Sequence, residues 1–410
     1  MDSPESITAA SETTRRVRDR IASAVVIDDD TLATMVTALL ARGHVLLEDV
    51  PGTGKTVTAR VLAEALGLEF NRVQFTPDLL PSDVTGSTVY DETAGTFEFS
   101  EGPIFANVVL ADEINRAPPK TQAALLEAME DRQVSVDGTT HPLPDPFLVI
   151  ATQNPIEQEG TFRLPEAQRD RFAVKTALGY ADAEGEMELL DRRASRHTLS
   201  PSVEAVTDAA TVRTLQEICE GVQVTDRVRR YIVDLARTTR ADDRVDVGVS
   251  PRGIQRIFEV ARARAVLQDR DYVTPEDVQA IAQPTMAHRV VRTTEATVEG
   301  VEQSAIVADA IDRVAVPAVA PSDAAADTGD KSEVSEEGDP IGASDDGDTS
   351  DPSGAERSPD TPGSDASTPD ATDGADPDDD LWVDANDLDD AGSPDGDAEE
   401  RDTDHSDGRP

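Results

Sequence analysis

The chain has 410 residues, a formal net charge of −46 and a single cysteine. Such an acidic surface opposes broad contact with nucleic acid, which requires a positive face, and one cysteine excludes an internal disulfide. No stretch approaches the about 20 consecutive apolar residues that span a bilayer, and the N-terminus lacks the basic-then-apolar pattern of a secretion signal. We therefore expect a soluble protein in the cytoplasm, a reducing compartment.

The acidic excess is concentrated at the C-terminal end. Residues 318–410 contain 31 acidic and four basic residues, and otherwise consist mainly of Ser, Gly, Ala, Pro and Thr. This segment has too little apolar surface to offset the entropy of ordering, so we predict a disordered acidic tail. One apolar cluster, Leu381–Val383, interrupts it, and the pattern fits either an incidental cluster or a docking motif.

The remaining 317 residues are also acidic, with a net charge of −19. Lysine occurs only at Lys55, Lys120, Lys175 and Lys331. A lysine-poor acidic surface suits a high-salt cytoplasm, where counterions screen self-repulsion, so we interpret the protein as halophilic. The alternative is an acidic protein whose codon usage favours arginine.

Residues 1–180 alternate helix and strand patterns. In chain order, the apolar spacing predicts helices at 5–24 and 31–42, a strand at 44–48, a helix at 56–66, strands at 70–75 and 107–111, a helix at 119–130 and a strand at 146–152. Turn residues predict two hairpins, one pairing 88–90 with 96–99 and one pairing 134–136 with the residues near His141. This alternation predicts an α/β domain, a parallel sheet with helices on both faces.

After residue 180 the strand patterns stop. Helical spacing recurs at 182–196, 203–220, 225–240, 251–268 and 274–290. The last of these helices begins with a strong start signal, because Thr274 can act as an N-cap and Pro275 follows it. We therefore predict a smaller all-helical domain at 181–317.

A glycine-rich loop follows the strand at 44–48 and precedes a helix. It consists of Pro51, Gly52, Thr53, Gly54, Lys55 and Thr56. Glycines allow the backbone to wrap closely around phosphates, with N–H groups and a helix N-terminus directed inward. Lys55 would reach the β- and γ-phosphates and the Thr56 hydroxyl would bind Mg²⁺. The common pattern has another glycine at the position that Asp49 occupies here.

Two acids end the next apolar strand, at Asp112 and Glu113. The carboxyl ends of parallel strands are where ligands bind in open α/β sheets. Asp112 would hold Mg²⁺ through water, and Glu113 would act as the general base that polarises the attacking water. Together with the glycine-rich loop, the pair predicts a site that hydrolyses Mg-ATP.

The motifs together resemble the MoxR branch of the AAA+ ATPases, over residues 44–175. The resemblance rests on the segments 46–56, 73–86, 110–117, 151–155 and 164–172. It implies an AAA+ P-loop sheet domain followed by a helical lid. It also implies that Asn154 is sensor 1, which orients the lytic water, and that Arg171 is the arginine finger, which acts on a neighbouring subunit. Arg252 matches sensor 2 at the start of a lid helix.

Two parts of the chain depart from the family pattern. The stretch Val25–Ile27 should line the adenine pocket, but Asp28 and Asp29 follow it where the family usually has Gly-Gln. Arg169 replaces the usual leucine before the Asp-Arg-Phe motif, so a second arginine lies near Arg171. The first hairpin matches the family's helix-2 insertion, which either contacts substrate or stiffens the ring.

The resemblance implies a ring, a homo-hexamer, that uses ATP and Mg²⁺. It further implies a chaperone-like role in maturing or activating a partner complex, often one with a von Willebrand factor A domain protein. Two alternatives remain: a nucleotide-gated scaffold with little turnover, and a DNA-remodelling motor of the related helicase clade. The motor would need basic residues in the two hairpins, and the segments 87–99 and 134–143 contain no lysine or arginine.

Overall fold

The computed structural model describes residues 4–93, 95–155 and 161–318. The predicted tail lies outside the described residues apart from Ala318, so its disorder and a role for Leu381–Val383 stay predictions. Within the described ranges, no helix has both the length and the apolar character that crossing a bilayer requires.

The N-terminal part alternates helices and strands, as predicted. Its helices are α1 (Ile7–Ala22), α2 (Asp29–Leu40), α3 (Lys55–Leu66), α4 (Pro81–Thr85), α5 (Pro119–Asp131) and α6 (Glu166–Arg169). Its strands are β1 (Val45–Glu48), β2 (Phe70–Gln74), β3 (Gly86–Asp91), β4 (Thr96–Glu101), β5 (Val108–Asp112), β6 (Gln133–Val136), β7 (Thr139–Pro142), β8 (Leu148–Gln153) and β9 (Val174–Thr176). The sequence did not predict α4, α6 or β9, because elements of three to five residues are too short to show a period.

Five strands form one parallel sheet in the order β2-β5-β8-β1-β9. All residues of β5 are buried, and successive residues alternate between two cores: Val108 and Leu110 face one, Val109 and Ala111 the other. The first core also contains α1–α3 and the C-terminal helices, and the second contains α5. The predicted parallel sheet with cover on both faces is therefore confirmed, and the carboxyl ends of its strands meet at one edge.

Both predicted hairpins are confirmed. Strand β3 pairs with β4 in antiparallel register, and β6 pairs with β7, with Val134 opposite His141. The rings of Phe99 and His141 stack at 3.8 Å, so the two hairpins contact each other. Tyr90 and Phe97 pack together on the first hairpin and remain exposed.

The C-terminal part of the described chain is mainly helical. It contains α7 (Ala183–Ser195), α8 (Ala209–Gly221), α9 (Asp226–Arg240), α10 (Pro251–Leu267), α11 (Pro275–Met286), α12 (Thr294–Val298), α13 (Gln303–Arg313) and the short paired strands β10 (Val245–Val247) and β11 (Val291–Arg292). Helix α8 begins later than predicted because the Asp208 carboxylate accepts the N–H of Thr211 and caps the helix there. The sequence did not predict α13, which packs on α9 and α11.

Candidate functional site

The loop between β1 and α3 forms the centre of the candidate site. Gly52 and Gly54 have φ angles of +88° and +90°, a conformation that residues with a Cβ rarely adopt. A Cβ at either position would meet no atom within 4 Å, so the backbone conformation and not crowding requires glycine. Gly54 is also the N-cap of α3, which places the unpaired N–H groups of the first helical turn beside the loop.

A cavity of about 330 Å³ lies over this loop. Three neighbouring strand ends line it: the loop after β1 with Lys55 and Thr56, the pair Asp112 and Glu113 at the end of β5, and Thr152–Asn154 at the end of β8. The structure thus brings the predicted loop, the two acids and Asn154 together in one cavity. Thr53 lies beside it, in the lining of the adjoining cavity.

Lys55 and Asp49 bind the backbone around the loop. The Lys55 Nζ donates to the carbonyl oxygens of Asp49 and Val50, at 2.9 and 2.6 Å. The buried Asp49 carboxylate accepts three backbone N–H groups, from Val50, Leu178 and Gly179, at 2.8–3.0 Å. Because Asp49 has no positive φ, the missing glycine leaves no strain, and its side chain instead joins the loop to the segment before α7.

Asp112 is buried, and both of its carboxylate oxygens have partners. The Thr152 hydroxyl donates to Oδ1 at 2.6 Å. The guanidinium of Arg72, on β2, donates to Oδ2 through Nε at 3.0 Å and Nη2 at 2.6 Å. Neither contact was predicted from the sequence: Arg72 lies outside the motif segments, and Thr152 lies within the segment 151–155 but had no role assigned to it.

Glu113 follows in the left-handed conformation, with φ +58°. Its N–H donates to the Thr152 hydroxyl at 2.8 Å, so one buried hydroxyl binds both acidic residues. Its carboxylate accepts from the Gln74 amide at 2.8 Å and lies 3.2 Å from Nε of Arg116. These contacts hold the carboxylate at the cavity wall and leave it partly exposed.

A second cavity, of about 680 Å³, adjoins the first and shares Gly52, Gly54 and Val57 with it. Val25–Ile27 line this cavity, as the family resemblance predicts for the adenine pocket, and Asp28 lines it too. The segment before α7 and α7 itself also line it. One end of the combined space is lined by glycines and by Lys55, Asp112 and Glu113, and the other by Val25–Ile27, an arrangement that suits a nucleotide.

Arg171 and Arg252 lie together but line neither of these cavities. Both contact Glu130 on α5: Nε of Arg171 lies 3.2 Å from its Oε2, and Nη1 of Arg252 lies 3.1 Å from its Oε1. One carboxylate therefore joins the predicted finger and the predicted sensor 2 on one surface. Arg169 lines a separate cavity that also includes Asn154.

The buried Arg289 joins the turn that contains Arg171 to the helices that follow it. Nε of Arg289 donates to the Asp170 carboxylate at 2.7 Å, and its Nη atoms donate to the carbonyl oxygens of residues 170, 172 and 173. The Ser250 hydroxyl, which caps α10, donates to the same carboxylate at 3.0 Å. Burial lowers the pKa of Arg289 to about 10, so it stays charged at neutral pH.

The donors around the first cavity fit a magnesium ion. Mg²⁺ prefers oxygen ligands, retains several waters, and is usually bound by one or two side chains together with substrate phosphates. Thr56 and Asp112 both line the cavity and supply such oxygens. In the described part of the chain, this cavity included, no group of three or more His, Cys, Asp or Glu side chains could hold a metal.

The buried titratable groups outside these cavities have structural roles. Burial lowers the pKa of His44 to about 3, so its ring is neutral at pH 7. Its Nε2 hydrogen-bonds the Met129 carbonyl, and its Nδ1 accepts the N–H of Val149. Burial also raises the pKa of the Cys219 thiol to about 12, which makes it a poor nucleophile.

Comparison with known proteins identifies the family. The family model for the ATPase family associated with various cellular activities (AAA) matches residues 44–174, and the model for the AAA lid domain matches residues 237–310. Chaperone MoxR1 of Mycobacterium tuberculosis is 39% identical, over 77% of this chain and 85% of that protein. The chain belongs to the MoxR family of AAA+ ATPases.

Two further proteins match this chain over most of their own length. The Bacillus subtilis protein YeaC is 49% identical, over 69% of this chain and 88% of that protein. A solved structure from Cytophaga hutchinsonii is 38% identical, has a TM-score of 0.71, and matches 76% of this chain and 97% of that chain. The lid match spans α10 and α11, so the predicted MoxR fold, an AAA+ sheet domain followed by a helical lid, is confirmed.

Proposed function

We propose that this MoxR-family protein binds and hydrolyses ATP in the cavity over the loop after β1. One observation carries the proposal: a glycine-rich loop, a helix N-terminus, an acidic pair and an asparagine all line a single cavity. Lys55 and the backbone N–H groups of Gly52–Thr56 would bind the phosphates. The adjoining cavity beside Val25–Ile27 would receive the base.

Hydrolysis would use the residues at the ends of β5 and β8. Glu113 would accept a proton from the attacking water, with Gln74 and Arg116 orienting its carboxylate. Asn154, in the same cavity, would orient that water. Thr56 and Asp112 would hold Mg²⁺, which would offset the phosphate charge.

We further propose that Arg171 and Arg252 complete the site of the next subunit in a ring. Neither lines its own subunit's nucleotide cavity, and the shared contact with Glu130 holds them on one surface. Arginine placed against a transferring phosphate stabilises the charge of the transition state. Turnover would therefore require assembly, for which we expect a homo-hexamer, with the lid moving against the sheet domain.

The energy of this ATPase cycle would be used to change the conformation of a protein client. The relative named chaperone MoxR1 supports a chaperone-like role, and we expect a partner complex, one class of which has a von Willebrand factor A domain. Both hairpins lack lysine and arginine, which favours a protein client over DNA. We also propose that the protein is cytoplasmic and halophilic, and that its two domains span residues 1–180 and 181–317.

The chemistry can be tested with Glu113→Gln in high-KCl buffer. Wild-type protein should release phosphate from ATP, and the variant should bind ATP but release almost none, because an amide cannot accept the proton. A fluorescent ATP analogue measures binding and a coupled assay measures phosphate. Wild-type protein that binds ATP without measurable turnover would instead support the nucleotide-gated scaffold.

The geometry between subunits can be tested by mixing two inactive variants. Arg171→Ala subunits retain the nucleotide site, and Lys55→Ala subunits retain the arginines. Mixed rings contain interfaces that pair an intact site with intact arginines, so the mixture should recover part of the wild-type turnover. If light scattering shows that both variants assemble but the mixture recovers no turnover, a role for Arg171 in the neighbouring subunit would be contradicted.

A further inference from the structure

Arg72 binds the carboxylate that is expected to serve the metal. Two of its nitrogens contact Oδ2 of Asp112, and the other oxygen of that carboxylate accepts from Thr152. Within the part of the chain that the structure describes, the charged partner of Asp112 is thus a side-chain cation. A guanidinium on a carboxylate edge neutralises the same negative charge that a metal ion would use.

The surroundings of Arg72 allow it to leave this position. It lies on β2, the edge strand of the sheet, and its side chain is 46% exposed. Gln74, two residues along the same face of β2, accepts from Nη2 of Arg72 at 2.6 Å. The arginine could therefore turn toward solvent and keep one partner when Asp112 is taken by another cation.

We propose that Arg72 is a positioning residue that holds the Asp112 carboxylate while the site lacks metal and yields it when Mg²⁺ binds with nucleotide. The proposal rests on the proposed function of this site. Two cations on one carboxylate repel each other, so Arg72 should lower the metal affinity of the site. Without metal it offsets the charge of an acid that is 12% exposed and stands next to a second acid, Glu113.

Metal affinity tests this directly. Mn²⁺ is used in place of Mg²⁺ because electron paramagnetic resonance detects it. It is titrated into protein that is saturated with ADP, and the binding affinity is measured. Arg72→Gln should bind Mn²⁺ about five- to tenfold more tightly than wild type, because a charge-assisted competitor is gone, and Arg72→Lys should lie between the two. Arg313→Gln is a matched control, since Arg313 pairs with the buried Asp242 at 3.1 Å, away from both cavities, and should leave the affinity unchanged.

A double-mutant cycle on Arg72→Gln and Asp112→Asn measures the contact without metal or nucleotide. Chemical unfolding should show coupling between the two changes, which addition of Mn²⁺ and ADP abolishes. Unchanged or weaker Mn²⁺ binding by Arg72→Gln, with ADP still bound, would overturn the proposal and leave the proposed function standing. Wild-type protein that binds neither ADP nor Mn²⁺ would refute both.

Discussion

Thr152 is the buried residue on which both acids at the end of β5 depend. Its hydroxyl donates to Asp112 and accepts the N–H of Glu113, and the residue is 1% exposed. Thr152→Val keeps the shape of the side chain but removes both hydrogen bonds. One lost bond is to a charged group and the other leaves a part-buried N–H unpaired, so the free energy of unfolding should fall by roughly 2–4 kcal/mol.

Thr121→Val provides the matched control. Thr121 is also 1% exposed, but its hydroxyl donates only once, to the Leu79 carbonyl at 2.7 Å, and it does not line the cavity. Its loss should cost about 1 kcal/mol. Guanidinium unfolding at constant KCl, without nucleotide, compares the two variants.

The two variants should differ in turnover as well. Thr152→Val should lower ATP turnover about tenfold or more while ATP still binds, because the positions of Asp112 and Glu113 are no longer fixed. Thr121→Val should retain wild-type turnover. Equal stability losses in the two variants, together with unchanged turnover in Thr152→Val, would refute the argument that this hydroxyl positions the acids.

Three other outcomes can be measured. Asp49→Ala should weaken binding of a fluorescent ATP analogue and lower the melting temperature, since three backbone N–H groups lose their acceptor; unchanged binding would contradict its role in shaping the loop. Arg289→Met should lower the free energy of unfolding by about 3–5 kcal/mol, because the carboxylate of Asp170 loses its buried partner, whereas the exposed Arg313→Met should cost far less. His44 is neutral when folded but gains a proton below pH 6.5 when unfolded, so stability should decline as pH falls from 6.5 toward about 3; thermal unfolding of His44→Gln should show a flatter decline over that range.

The parts of the site that were predictable from the sequence are those whose residues are adjacent in the chain and form a motif. The loop at Gly52–Thr56 and the pair after β5 each combine a strand end with a short string of characteristic residues. The contacts of Asp112 and Glu113 with Arg72, Gln74 and Thr152 depend on which strands are neighbours. The strand order β2-β5-β8 is a property of the folded sheet. Amphipathic periods predict that a strand exists but not which strand lies beside it.

The fold shows the same division between local and non-local information. Long helices and the buried strands were predictable from period and apolar content, whereas the position of Glu130 between Arg171 and Arg252 was not. At Asp49 the motif pattern led to the expectation of a glycine, but the backbone there needs no positive φ. The role of that residue became visible only with its three N–H partners.

The Asp49 carboxylate also has a mechanical consequence. One of its oxygens binds the start of the phosphate loop, and the other binds the backbone at Leu178 and Gly179, which leads into the helical part of the chain. The Asp49 carboxylate therefore links the loop to this connecting segment directly, through one hydrogen bond to the loop and two to the segment. Under the proposed function, a shift of the loop around a bound phosphate would be transmitted through Asp49 to this segment, and movement of the lid would begin at the residue that replaces the expected glycine.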